Sequence, residues 1–276
     1  MKADIAFGQY CEGNSFLHRL DPRWKIIFSL IYIVALFLAR NIFAFAVIGI
    51  SVVVLWRMSG IGGKILLKGL KPLLFIIAFT AIINIFWFKG ATPLLPEGWF
   101  FQIYLEGVIN AVLVVLRVMV LVTGTSILLT YTTTPIALTD GIEQLLSPLA
   151  KLKVPVHDFS MMMTIALRFI PTLVEETDKI MCAQKARGSD FSTGSLKTRV
   201  KALIPVLVPL FISAFRRADD LATAMECRCY TGGAGRTRMN ILHSTWRDGV
   251  MLLALAVFTS AIVLLNVYAP GYMFSM

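Results

Sequence analysis

The chain has 276 residues, 57% of them hydrophobic and only 15% charged, with a mean hydropathy of +0.77. A soluble domain usually carries about 25% charged residues; here the apolar excess is gathered into runs, which excludes an ordinary soluble protein and points to an integral membrane protein. The formal charge of +10 comes without a basic stripe interleaved with aromatics, so it does not describe a nucleic-acid binder, and the positive-inside rule accounts for it.

Residues 1–23 are polar, and His18, Arg19, Arg23 and Lys25 crowd the entry to the first apolar run. No small-residue cleavage site follows that run, which argues against a signal peptide. From Trp24 to Trp56 only Lys25, Arg40, Asn41 and a few small polar residues interrupt the pattern. One helix of that length would measure about 50 Å, against a hydrocarbon core of ~30 Å. The pattern therefore predicts two short spans, 24–39 and 42–56, turning at Arg40-Asn41. The loop 57–71 carries Arg57, Lys64, Lys68 and Lys71 and no acid, and Gly60, Gly62 and Gly63 predict a turn there. A third span is expected over 72–88 and a fourth over 106–130. Between them, 89–105 holds Lys89, Glu97 and the aromatics Trp99, Phe100, Phe101 and Tyr104, which suit a headgroup-level belt. A last span runs from Gly249 to Tyr268. The charge bias puts the N-terminus and the 57–71 loop in the cytoplasm and the C-terminus outside, in a multi-pass protein of the cell membrane.

The block 131–248 holds 11 of the 16 acidic and 15 of the 26 basic residues, too many for membrane, yet it is too apolar for a loop. Thr134-Pro135 predicts a helix start, with a break at Pro148. A second helix opens at Pro155 and Asp158 and stops at Gly188; Phe159, Met162, Ala166, Phe169 and Leu173 recur along it at helical spacing. A third begins near Ser195, carries Pro205 and Pro209 within an apolar run from Ala202 to Phe215, and ends before Gly232. That run of 14 residues is too short to span a bilayer and predicts a buried or interfacial face. The expected fold is thus an all-α integral membrane protein with about five transmembrane helices and a cytoplasmic or interfacial domain of three long amphipathic helices. The predicted division is 1–130, 131–248 and 249–276.

Both long helices of the block close on one arginine between small residues: Ala186-Arg187-Gly188 and Cys227-Arg228-Cys229. Small neighbours admit a partner backbone, and a guanidinium fork binds a carboxylate or helix-end carbonyls in two-pronged fashion. The arginines read as plugs into sockets on partner subunits. Other motifs carry less. Gly62-Gly63-Lys64-Ile65 lacks the leading glycine and the hydroxyl of a P-loop, so ATP hydrolysis, if any drives the system, belongs to a partner. Asp219-Asp220 lacks a second acidic cluster to chelate magnesium and is expected to pair with Arg216 and Arg217. Cys227 and Cys229 lack a second ligand pair for zinc, so no metal site is expected. Arg117, deep in the fourth span, admits a functional reading and a structural one, buried against a neighbouring helix or snorkelling. Asn84 suits helix–helix glue better than a substrate ligand, and Met161-Met162-Met163 is core filler or an adaptable surface. His18, His157 and His243 are assigned no role.

The stretch Ala166-Leu167-Arg168-Phe169-Ile170-Pro171 through Ala183 to Gly188, followed by Arg216-Arg217-Ala218-Asp219 through Ala224 to Tyr230, resembles the transmembrane T component of energy-coupling factor transporters, the EcfT/CbiQ family. The resemblance implies a non-enzymatic scaffold for uptake of a vitamin or metal ion. It would join two cytoplasmic ATPases of the ABC type to an interchangeable small membrane protein, the substrate-binding S component. No cofactor is implied in this chain; ATP with magnesium belongs to the ATPases. The family motif, Ala-Arg-Gly twice, implies ATPase docking by Ala186, Arg187 and Gly188 and by Cys227, Arg228 and Cys229. The second site departs from the motif: cysteine keeps the small size but loses glycine's backbone freedom at the helix end. A surface of Met162, Met163, Phe169, Leu207 and Phe211 is assigned to the S component. Two alternatives stand beside this reading. A membrane-embedded enzyme acting on a lipid or prenyl substrate would need acids or a nucleophile at membrane depth, and a self-contained permease would need more polar groups inside the spans.

Overall fold

The computed structural model describes residues 10–39, 41–87, 104–152, 155–189, 191, 195–232 and 243–268, which form nine α-helices and no strand. Arg40, residues 88–103 (with Lys89, Glu97 and three of the belt aromatics) and 269–276 lie outside the described residues. Two compact units divide the chain, Met1–Gly141 with Leu242–Met276, and Ile142–Ile241.

The helix starts and stops of the first unit follow local chemistry. Helix α1 (Pro22–Leu38) begins with proline at N1 behind Asp21, whose carboxylate accepts from the Arg23 amide at 3.0 Å. Asn41 caps α2 (Ile42–Ser59) in the same manner, and Gly60 ends it in the left-handed region at φ +68°. The expected turn at Gly60–Gly62 is present, but the rest of the 57–71 loop is helical: α3 (Gly63–Leu70) runs through a tight turn at Lys71–Leu73 into α4 (Leu74–Trp87). Its lysines therefore sit on a helix that feeds the next apolar segment. Helix α5 (Leu105–Thr125) continues as a wider π turn, Ser126–Thr130, and α9 (Trp246–Tyr268) closes the unit. Three of these runs, Gly63–Trp87, Leu105–Thr130 and Trp246–Tyr268, are long and apolar enough to cross a membrane. Helices α1 and α2, 17 and 18 residues, reach about 26 Å each.

The core of this unit centres on α1. Phe28, Tyr32 and Leu36 are buried against Ile48 of α2, Leu128 and Tyr131 after α5, and Ile262 of α9. Tyr32 stacks on Phe258, and Gly124 of α5 is its seat: a Cβ there would lie 2.4 Å from the ring's Cε1. The turn after α1 shows what Arg117 does. In an apolar setting the last carbonyls of a helix need donors. Asn266 donates to the Leu38 carbonyl at 2.6 Å and Arg117 to that of Ala39 at 2.7 Å, while Asn41 donates to Leu265. The Arg117 guanidinium also lies 5.1 Å from the Phe45 ring centroid. The structural reading of Arg117 is the one observed. Asn84 bonds back to the Thr80 carbonyl of its own helix.

At the other end of α1, Lys25 is buried rather than flanking the span. Its ammonium donates to the Thr132 carbonyl (2.9 Å) and the Thr133 hydroxyl (3.2 Å). Asp248 at the start of α9 accepts from the Asp21 amide (3.0 Å) and the Thr245 amide (2.7 Å). These contacts fasten the start of α1 both to the residues following α5 and to the start of α9.

In the second unit, α6 (Pro135–Leu146), which enters it from the first, is the expected helix behind a Thr134 cap on Ala137. At 12 residues, with a 3-10 turn Ser147–Leu152 at Pro148, it is short, so two of the three expected helices are long: α7 (Val156–Ala186) and α8 (Leu196–Cys227). Glu143 of α6 accepts from Ser160 at 2.8 Å and meets His157 at 3.0 Å, a role for a histidine that the sequence left unassigned.

Candidate functional site

Helices α7 and α8 pack side by side in opposite directions. Gln184 near the end of α7 meets Pro205 near the start of α8, Glu176 meets Ser213 and Arg217, and Ile165, Phe169 and Leu173 share a groove of about 240 Å³ with Ala218, Leu221 and Met225. The ends of the two helices therefore lie at opposite ends of the pair. Counting α7 residues from the level of Met162 to Arg187 at 1.5 Å each puts the two arginines about 35–40 Å apart.

Two polar contacts hold the pair in register. Arg217 donates to Glu176 at 2.8 Å, with Ser213 on the other carboxylate oxygen. The expectation that Arg217 pairs with the neighbouring aspartates is thus corrected: the acid across the helix interface takes it, because Glu176 is half-buried there while Asp219 and Asp220 are exposed. The second contact follows from the prolines. Pro209 has no amide to give the Pro205 carbonyl, and the Gln184 side chain donates to that freed oxygen at 3.4 Å. Both α7, with Pro171, and α8, with Pro205 and Pro209, stay continuous.

The two predicted tips have the same backbone geometry. Arg187 ends α7 at its C-cap, followed by Gly188 at φ +91°; the Gly188 amide donates to Lys185 and the Ser189 amide to Gln184, both at 3.0 Å. Arg228 ends α8 at its C-cap, followed by Cys229 at φ +56°; the Cys229 amide donates to Glu226 at 2.8 Å and the Tyr230 amide to Met225 at 3.0 Å. Each is a Schellman cap, whose paired backbone bonds satisfy orphan carbonyls and fix the arginine on the last turn. Cysteine thus adopts the left-handed conformation that the family glycine would take; among the described residues Cys229 is the one non-glycine with positive φ. Ala186, Arg187, Gly188, Cys227, Arg228 and Cys229 are all exposed.

The five residues of the other predicted surface do not form one patch. Leu207 and Phe211 are exposed on α8, while Met162 and Met163 are exposed at the far end of α7, about 25 Å away along the pair. Phe169 faces the groove between the helices. The structure adds what the sequence reading left out. Val200, Leu203, Ile204, Val208, Ile212 and Phe215 join Leu207 and Phe211 in an exposed stripe, spaced three and four residues apart. That spacing was visible in the run from Ala202 to Phe215; what was missing was which face α7 leaves uncovered. Among the described residues no three His, Cys, Asp or Glu side chains gather where a metal ion could sit.

Comparison with known proteins agrees with the resemblance. The family model of CbiQ, described as a cobalt transport protein, matches residues 13–241. A protein of Clostridium kluyveri named energy-coupling factor transporter transmembrane protein EcfT is 50% identical over 268 residues, covering 97% of this chain and 99% of its own. Proteins of the same name from Ruminiclostridium cellulolyticum and Bacillus subtilis are 52% and 45% identical, each over 266 residues, covering 96% of this chain and 98% and 100% of their own lengths. With that identity sustained from end to end, the chain belongs to the CbiQ/EcfT family, the energy-coupling transmembrane components of energy-coupling factor transporters.

Proposed function

We propose that this chain is a non-catalytic coupling subunit that carries force from two cytoplasmic ABC-type ATPases to a small membrane S component, for uptake of a vitamin or metal ion. The observation that carries the reading is the duplicated tip: two exposed arginines, each fixed by the same cap, at opposite ends of one antiparallel helix pair. Two tips so far apart suit two ATPase grooves, one arginine in each. ATP binding with magnesium on those subunits draws the grooves together, and the tips follow. Helices α7 and α8, held in register by Glu176 and Gln184, pass the movement on as levers. The α8 stripe around Leu207 and Phe211 is the surface an S component covers. The N-terminus lies in the cytoplasm and the C-terminus outside.

Removing one partner of a desolvated charge pair costs on the order of 2–5 kcal/mol. Arg187→Ala with Arg228→Ala is therefore expected to abolish co-purification of the ATPases and uptake, while each single change weakens both. Both arginines are exposed, so the double variant keeps its fold, checked by thermal unfolding. A folded double variant that still assembles and transports would defeat the proposal, as would substrate turnover by the isolated chain.

A further inference from the structure

We infer that the membrane unit holds an anionic phospholipid, with an acyl chain in the groove between α2 and α9 and its phosphate on Arg57 and Arg247. The groove has a volume of about 280 Å³ and is lined by Ile50, Val54 and Met58 of α2 and by Val250, Ala254 and Phe258 of α9. The groove is almost wholly apolar along its lining, which suits a hydrocarbon chain. It borders α9, one of the runs long and apolar enough to cross a bilayer, whose surroundings are acyl chains.

One end of this groove is cationic. Met58 in the last turn of α2 and Val250 in the first turn of α9 line the same cavity, so those two turns bound it together. Arg57 stands three residues from Val54 and seven from Ile50; Arg247 stands three from Val250 and seven from Ala254. Those intervals put both arginines on the lining stripes of their helices. Arg57 is exposed and Arg247 half-exposed, and neither has an acidic partner among the described residues. The acid of that turn, Asp248, is buried and occupied by the Asp21 and Thr245 amides. Trp246 beside Arg247 is 75% exposed, as an indole at headgroup level is. A chain-wide apolar slot ending in two cations without an acidic partner among the described residues matches a lipid with an anionic headgroup.

The test uses the full-length chain in mild detergent, offered phosphatidylglycerol or phosphatidylcholine of the same acyl chains and read by native mass spectrometry. One phosphatidylglycerol is expected to be retained, in preference to phosphatidylcholine by roughly tenfold or more. Arg57→Gln with Arg247→Gln is expected to bring the ratio near one, whereas Lys68→Gln, on α3 away from the groove, leaves it unchanged. Val54→Phe and Ala254→Phe, made separately in case one fails to fold, are each expected to lose retention of both lipids. Undiminished preference in the double arginine variant would overturn the inference, and so would full retention after the groove is filled. So would cross-linking of a partner protein to Ala254→Cys in native membranes, in place of lipid.

Discussion

Replacing Gly188 by alanine isolates the backbone geometry of one tip. A Cβ built at Gly188 meets no atom within 4 Å, so the chain itself offers no steric objection. The cost is conformational: at φ +91° an L residue stays left-handed at an expense of about 1–2 kcal/mol. Because 1.4 kcal/mol is tenfold in an equilibrium constant, the cap should open roughly 5–30 times more often. The amides of residues 188 and 189, which donate to Lys185 and Gln184, report that opening directly. Hydrogen exchange on the full chain in nanodiscs, with no partner present, should show them exchanging faster by that factor. Affinity for an ATPase that needs the closed cap should fall by up to the same factor. Cys229→Gly works in the opposite direction at the second tip. At φ +56° the cysteine carries a similar penalty, offset by the greater unfolded-state entropy of glycine, so slower exchange by a few-fold is expected at residues 229 and 230. Unchanged exchange and unchanged affinity in Gly188→Ala would refute the claim that the cap positions the arginine.

Gly124→Ala should destabilise the first unit by up to about 2 kcal/mol. Helix propensity favours alanine by about 1 kcal/mol, but the methyl would meet the Tyr32 ring at 2.4 Å, and overpacking of this kind costs about 1–3 kcal/mol. The stacked Phe258 limits the ring's retreat, so Tyr32→Leu in the same chain should recover much of the loss in thermal unfolding, and an alanine variant stabler than the parent would contradict the packing. Arg117→Met should cost about 2–4 kcal/mol by the same assay, for a charge-assisted bond to the Ala39 carbonyl and the contact with Phe45, with Arg117→Lys recovering part. Glu176→Gln should loosen α7 against α8 by only about 1 kcal/mol or less, because the pair with Arg217 is partly exposed. The exchange rates of amides facing the groove measure it, and the parent at high salt should behave alike.

What could be read from the residues alone was what short-range chemistry decides. The turn at Asn41, the turn at Gly60, the Thr134-Pro135 start and the tips at Arg187 and Arg228 all depend on neighbours within a few positions. The apolar runs did the rest for the helices. Partners distant in sequence were not readable. Arg117 to Ala39, Lys25 to Thr132 and Asp21 to Asp248 are 78, 107 and 227 residues apart, and nothing local names them. Where a local rule and a distant partner competed, the local rule misled: three- and four-residue spacing favoured Arg217 with the aspartates, while packing put Glu176 in reach. The glycines marked the turn at Gly60–Gly62, but nothing local showed that the basic segment beyond it, from Gly63 on, is a helix. At Cys229 the sequence showed the loss of glycine; it could not show that the cap forms regardless, at a cost the paired backbone bonds absorb.

The most direct test of the coupling claim is the accessibility of the two tips in the assembled transporter. With Cys182 replaced and both arginines kept, Ala186→Cys places a thiol beside Arg187, while Cys227 and Cys229 already flank Arg228. Each tip would be labelled by a water-soluble thiol reagent, in the free chain and after addition of the ATPases. Both tips are exposed in the chain alone and should react readily there. The account predicts that ATPase binding shields both. Two tips that stay fully reactive in an assembled, transporting complex would contradict it.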